Sequence, residues 1–344
     1  CHGWQNDSPP IASTVESFRL LTASGEIARC SRKENTELFS LVLGGYGLFG
    51  VMLEVNLRVV PNEFYIAEAY RVKPADYNRL YHELTKNRAD VGMAYGRINV
   101  APEAFLNDGL ITLLKRQETN KPVKDTLISE QPELLKRLVF RGGVGSDFGK
   151  NLRWWLEKNM GETAGKLLSR NQIMNEPSDQ YATRDPSTTD ILHEYFLPVA
   201  RMAEFVEKAR PIFLRYKPEL LNITVRNVEP DHDTFMRYAP EEVFGLVMLF
   251  HQKRDGEAEH AMQAVTRELI AAALSCGGRY YLPYRAHATE AQFLQSYPQA
   301  REFVALKHRD DPTGVFENTF FLNYCRPLET PASTDLVTNG PAPR

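Results

Sequence analysis

Three residues on separate apolar segments are of types that could handle an alcohol: Glu194, Arg226 and His251. In Leu192-His193-Glu194-Tyr195-Phe196-Leu197-Pro198, strand alternation puts Glu194 and Phe196 on one face and His193 and Tyr195 on the other, and one of these faces should be buried. A carboxylate on the floor of an apolar pocket has its pKa raised toward neutrality, as a general base for a hydroxyl group requires; a solvent-facing or salt-bridged glutamate is the alternative. Arg226, in Asn222-Ile223-Thr224-Val225-Arg226-Asn227, could hold a substrate oxygen with a fixed guanidinium, or it could be an exposed strand-end charge. His251 ends the apolar run Leu246 to Phe250 on the face of Val247 and Leu249, where a substrate ligand and a satisfied structural histidine are equally compatible with the pattern. His287 and Arg285 carry weaker signals of the same kind.

Four glycines within Gly44 to Gly50 would let the backbone turn tightly and approach a ligand closely. The run lacks the Lys-Ser/Thr of a P-loop and precedes a strand, so it is not a Rossmann fingerprint; a purely structural turn is the alternative. Other chemistries lack their residues. The eight histidines form no HxH or HExxH, there is no GxSxG elbow, and the four cysteines have no CxxC spacing, so no metal site is expected. Trp154-Trp155 beside Arg153 could stack on a sugar or a base, although a buried anchor is the commoner use of such a pair.

The elements that must position these groups follow from periodicity. Ser17 to Leu21 and Glu26 to Cys30 flank Thr22-Ala23-Ser24-Gly25 as a hairpin, and Glu34 to Leu43 reads as a helix with Asn35 or Ser31 as its cap. The glycine run and a strand from Val51 to Val60, ended by Pro61, complete that unit. Strands are expected at Tyr65 to Val72, Met93 to Val100, Leu192 to Leu197, Leu221 to Val228 and Val243 to Phe250. Helices are expected at Asp76 to Asn87, Val199 to Tyr216 and Glu257 to Cys276. Residues 115 to 190 read as a helical insertion or lid, and 326 to 344 as a disordered tail. The fold class is α+β, with an antiparallel sheet carrying helices on one face.

With 344 residues, 43% hydrophobic and 25% charged, the chain can build more than one buried core. A net charge of -3 supplies no global positive field, so neither nucleic acid nor an anionic membrane is expected as partner. No apolar run reaches the roughly 20 residues of a spanning helix. Cys1-His2-Gly3-Trp4 carries neither an initiator Met nor a signal pattern, which leads to the expectation that the natural N-terminus lies upstream.

The run from Ser17 to Pro61 (SFRLLTASGEIARCSRKENTELFSLVLGGYGLFGVMLEVNLRVVP) resembles the second subdomain of PCMH-type FAD-binding domains in the vanillyl-alcohol oxidase superfamily. The segment Gly277 to Asn318, with Asp311-Pro312 and Phe316, is similar to the closing segment of sugar-lactone oxidases, alditol oxidase and decaprenylphosphoryl-ribose oxidase. The resemblance implies a division into 1-62 as the second part of the FAD-binding domain, 63-276 as a substrate or cap domain, and 277-325 as a return to the FAD domain. It places FAD contacts at His2, Gly3, Gly47, Gly50, Val51, Tyr281 and Pro283, and substrate contacts at Glu194, Arg226 and Tyr284, with His251 as a second candidate base. Relatives often carry lysine where Tyr284 stands. The implied activity is oxidation of a hydroxyl carbon of a sugar, alditol, aldonolactone or sugar-lipid, with hydride passing to flavin N5. The implied partners are that substrate and an upstream flavin subdomain, and the implied location is the cytoplasm or the membrane periphery. A ribose-lipid oxidase paired with a reductase, or a non-catalytic sugar-binding relative, would share the same motifs.

Overall fold

The structure is a computed structural model and describes residues 4–119, 134–160, 165–175 and 181–329. His2, Gly3 and the tail beyond residue 329 therefore lie outside the described residues. The first unit contains β1 (Val15–Leu21), β2 (Ile27–Ser31), α1 (Thr36–Val42) and β3 (Val51–Leu57). Its sheet is antiparallel in the order β2-β1-β3. At the start of α1, Asn35 sits in the left-handed region at φ 47° and makes no side-chain cap; it donates to the Arg29 carbonyl instead. Ser31 Oγ accepts from the Lys33 and Glu34 amides just ahead of the helix.

The second sheet is built from β4 (Phe64–Val72), β5 (Val91–Ile98), β6 (Gly109–Gln117), β7 (Leu167–Ser169), β8 (Thr188–Pro198), β9 (Glu219–Val228), β10 (Val243–Lys253) and β11 (Arg279–Tyr280). The order is β11-β8-β10-β9-β5-β6-β4-β7 and each pairing is antiparallel. With α2 (Tyr77–Thr85), α3 (Leu134–Arg141), α4 (Asp147–Met160), α5 (Arg170–Met174), α6 (Met202–Tyr216), α7 (Gly256–Ser275), α8 (Glu290–Ser296) and α9 (Ala300–Asp310), this gives a mixed helix and antiparallel-sheet, α+β architecture.

Register decides which side chains share a face. Glu194 pairs with Val247 and Phe196 with Gly245, while Val247 pairs with Thr224 and Gly245 with Arg226. One face therefore carries Glu194, Phe196, Gly245, Thr224 and Arg226, continued by Arg97, which pairs with Thr224. The opposite face carries His193, Tyr195, Phe244, Val225 and Phe250, all buried in the core. Phe205 and Phe213 of α6 and the α2 tyrosines cover it: Tyr195 meets Phe205 at 5.4 Å and Phe244 meets Tyr77 edge-on at 5.1 Å. The expectation that helices lie on one face needs correction, because α4 docks on the other. Arg153 of α4 donates to the Leu221 carbonyl and to Asn222 Oδ1, and Trp154 donates to Asp108. Trp154 is the buried anchor of the pair, and Trp155 faces outward. Within 115 to 190, this helix thus contributes to packing on the sheet, which periodicity alone did not reveal. Arg326–Leu328 form a 3₁₀ turn with Leu328 buried, inside the stretch read as a disordered tail.

Helix α9 packs against the first unit. Phe303 packs edge-on against Phe49 at 5.2 Å, and Arg309 reaches Glu37 of α1 at 2.7 Å. Below α9, Lys307 and Asp311 form an ion pair in which both side chains are 1% exposed. Asp311 also accepts from the Val315 and Phe316 amides at 2.9 and 2.8 Å, which closes the helix end. A buried charge left without its partner is costly, so Lys307→Ala is expected to lower stability by about 3–5 kcal/mol. Equilibrium denaturant unfolding reads this directly. A loss of under about 1 kcal/mol, the range of exposed pairs, would show that the pair is solvated in solution.

Candidate active site

Glu194 is 3% exposed in the middle of β8. The chain returns over it. After β11 pairs with Tyr195 and Phe196, the Tyr281 amide donates to the Glu194 carbonyl at 3.0 Å, which lays residues 281–284 across this part of β8. Tyr284 then donates its hydroxyl toward Glu194 Oε2 at 3.4 Å. Burial first, and the Glu194 charge second, push the Tyr284 phenol well above its ordinary pKa, with Arg226 opposing; Tyr284 is therefore a neutral donor that feels both groups. Tyr281 is shifted up by burial and by Glu194 as well. Glu194, Arg226, Tyr281 and Tyr284 are thus gathered around one point.

Gly245 makes that gathering possible. It lies between Phe196 on β8 and Arg226 on β9, and a Cβ there would stand 3.1 Å from the Phe196 ring and 3.4 Å from Glu194 Oε1. The missing side chain lets the carboxylate and the ring lean over β10. Tyr238 was missed at the sequence level. It stacks on Phe196 at 4.2 Å and meets Tyr281 edge-on at 5.3 Å, walling the same site. An isolated tyrosine in the loop before β10 carries no periodic signal.

The glycine loop reaches this cluster through Tyr46. Burial, followed by the charges of Tyr297, Tyr281 and Tyr238, raises the Tyr46 phenol. Asn318 holds the Tyr46 carbonyl at 2.6 Å, and Phe320 packs on its ring at 4.6 Å. A cleft of about 910 Å³ opens between Tyr46, Pro283, Tyr284, Phe320, Tyr324 and the near end of β8. The loop glycines have different reasons to be glycine. Gly50, at φ 142°, would clash with the Leu21 carbonyl at 2.4 Å if it carried a Cβ, so packing on β1 demands it. Gly47, at φ 76°, has nothing within 4 Å of a built Cβ and leaves bare backbone open to a ligand. Following Gly50, Val51 is half exposed at the start of β3, where each residue from Val51 to Leu57 is exposed.

His251 is on the same face as Glu194 but not at the same place. It pairs across the ladder with Asp190, four residues from Glu194, which is about 13 Å along a strand. There its Nδ1 lies 2.7 Å from Asp190 Oδ1, and Arg141 binds the same carboxylate at 3.1 Å. The structure therefore assigns His251 to an ion-pair cluster that ties α3 to the sheet and does not bring it to Glu194. Among the described residues no group of three or more His, Cys, Asp or Glu is arranged to hold a metal, and no helix is long and apolar enough to cross a membrane.

No protein-family model matches the chain. It is similar to a decaprenylphosphoryl-β-D-ribose oxidase of Mycolicibacterium smegmatis, 24% identical over 333 residues, which covers 92% of this chain and 69% of that protein. It is similar over shorter stretches to two Arabidopsis thaliana proteins. Cytokinin dehydrogenase 5 is 42% identical over 52 residues, 15% of this chain and 10% of that protein. Cytokinin dehydrogenase 2 is 30% identical over 105 residues, 30% of this chain and 20% of that protein. All three are oxidoreductases by name, and together they point to an oxidoreductase here.

Two buried imidazoles behind the sheet give the site a pH limit. Burial, with His287 and Arg285 nearby, lowers His193 from 6.5 to about 3, and burial with Arg285 and Arg267 lowers His287 from 6.5 to about 4. Both are neutral in the folded chain, while the unfolded chain protonates them below about 6.5, so unfolding takes up protons as the pH falls. Stability contributed by these groups is full above pH 6.5 and is lost progressively toward pH 4 and then 3. Thermal unfolding measured from pH 7 to 4 should show a falling midpoint whose slope is smaller in His193→Gln. An unchanged slope in that variant would mean that His193 is not a buried neutral imidazole.

Proposed function

We propose that this chain is the substrate-binding and flavin-contacting part of an FAD-dependent oxidoreductase that oxidises a hydroxyl-bearing carbon of a sugar, alditol, aldonolactone or sugar-lipid. The observation that carries the proposal is the convergence of Glu194, Arg226, Tyr281 and Tyr284 beside a cleft reached by the glycine loop. The residues present fit a flavin: an open Gly47 backbone, aromatic walls at Tyr46 and Tyr281, and a cleft of about 910 Å³ that lies within the range of cofactor sites. The exposed apolar residues of β3, among them Val51, Leu53, Val55 and Leu57, support the idea that an upstream flavin subdomain covers that strand. His2 and Gly3 are proposed as further contacts.

In this reading FAD supplies the hydride acceptor. Glu194 takes the proton from the substrate hydroxyl, while Tyr284 donates to Glu194 and keeps its carboxylate aimed into the site. Arg226 holds a substrate oxygen from the neighbouring strand. Tyr281, Tyr238 and Phe196 exclude water from the reacting carbon. The similarity to a ribose-lipid oxidase over 92% of this chain favours a second version of the same chemistry, in which the sugar is carried on a lipid phosphate and a separate reductase completes an epimerisation.

The test is anaerobic. The full-length protein loaded with FAD is screened against alditols, aldonolactones and ribosyl phosphates for bleaching of the flavin band. One substrate class should bleach it, and Glu194→Gln should slow that bleaching by ~10²–10⁴-fold, the worth of a positioned general base. A full-length protein that takes up no FAD, or a Glu194→Gln variant as fast as the wild type, would contradict the assignment.

A further inference from the structure

The segment from Tyr281 to Thr289 has no regular secondary structure, yet it carries Tyr281, Pro283 and Tyr284. Beyond the Tyr281 amide bond to the Glu194 carbonyl and the Arg285–Glu259 ion pair, further side chains hold it in place. One of them is His287. It is 4% exposed, its Nδ1 lies 3.0 Å from Thr266 Oγ1 on α7, and its Nε2 lies 2.7 Å from Glu259 Oε1 on the same helix. Arg267, also on α7, donates to the His287 carbonyl at 2.8 Å.

The partners give these contacts one direction. Glu259 is a carboxylate that can only accept, so His287 donates from Nε2, and in the neutral ring Nδ1 is left as an acceptor. The Thr266 hydroxyl has one proton, which it donates to the Met262 carbonyl at 2.7 Å, with His287 Nδ1 close beside it at 3.0 Å. Its lone pair then accepts from His193 Nε2 at 3.4 Å, and His193 Nδ1 accepts from the Tyr195 hydroxyl at 3.2 Å. Tyr195, His193, Thr266, His287 and Glu259 thus form one polar network from beneath β8 to the wall of the cleft, with both imidazoles neutral. Both histidine pKa values, about 3 and about 4, agree with neutral rings.

We infer that His287 is a positioning residue: by anchoring the 281–287 segment to α7 it fixes where Tyr284 stands over Glu194. This rests on the function proposed above, but the anchor itself is a property of the fold and is measurable without flavin. Nothing in the chemistry of His287 touches the reacting carbon; it acts through Tyr284, three residues away.

The test has two arms. In the chain without flavin, amide hydrogen exchange of peptides spanning 281–287 should accelerate roughly fivefold to tenfold in His287→Ala, the effect of losing one or two side-chain hydrogen bonds. His287→Gln, whose amide nitrogen can still donate to Glu259, should restore slow exchange. Thr266→Val, which keeps the shape of the residue and removes the hydroxyl, should accelerate the same peptides by less, and it remains informative if His287→Ala does not fold. In the FAD-loaded full-length protein, His287→Ala should slow flavin reduction, and combining it with Tyr284→Phe should slow it no further than Tyr284→Phe alone. Additive losses, or unchanged exchange in both His287→Ala and Thr266→Val, overturn the inference. Accelerated exchange in a protein that no sugar can reduce would keep the anchor and remove the proposed function instead.

Discussion

The bond from the Tyr281 amide to the Glu194 carbonyl is the interaction on which the candidate site depends. A buried strand such as β8 presents its carboxylate to whatever lies above the sheet, and nothing in β8 itself decides what that is. By continuing the two-residue pairing of β11, the bond makes the returning chain pass across Glu194 before it leaves for α8. Tyr284 can then reach the carboxylate, and Leu282 to His287 form one wall of the cleft. Without that bond the returning chain would not be held across Glu194.

The two faces of the large sheet divide the work. On one, His193, Tyr195 and Phe244 sit under α2, α6 and α7 and provide rigid packing. On the other, Glu194, Thr224, Arg226 and Arg97 form a polar strip bounded by α4 at one end and by the Tyr238–Tyr281 wall at the other. Gly245 sits at the centre of this strip, and the space it leaves is taken by the groups that lean over it. Rigid packing on one side is what allows a small number of polar groups on the other to hold fixed positions.

Much of this was legible in the sequence, and the illegible part has a common cause. Alternation along Leu192 to Pro198 separated Glu194 from His193 correctly, and the hairpin, α1 and the main strands lie within a few residues of where periodicity puts them. Register between distant strands is set by long-range pairing, which no local pattern encodes. For that reason His251 could be put on the face of Val247 and Leu249 but not beside Asp190 and Arg141, where it stands. The glycines of the loop looked alike, although Gly50 is required by contact with Leu21 and Gly47 by its own left-handed backbone. Tyr238, Gly245 and the polar network from His193 to His287 emerged only once three segments far apart in sequence were brought together.

The central claim is that the glycine loop and the returning segment face one flavin ring. A crystal structure of the full-length protein with FAD bound tests it most directly. The account predicts the isoalloxazine in van der Waals contact with Tyr281 and Pro283, with Glu194 on the substrate side and the Gly47 backbone against the nucleotide. An isoalloxazine bound away from the Tyr46–Tyr284 cleft, leaving Glu194 covered by protein alone, would contradict it.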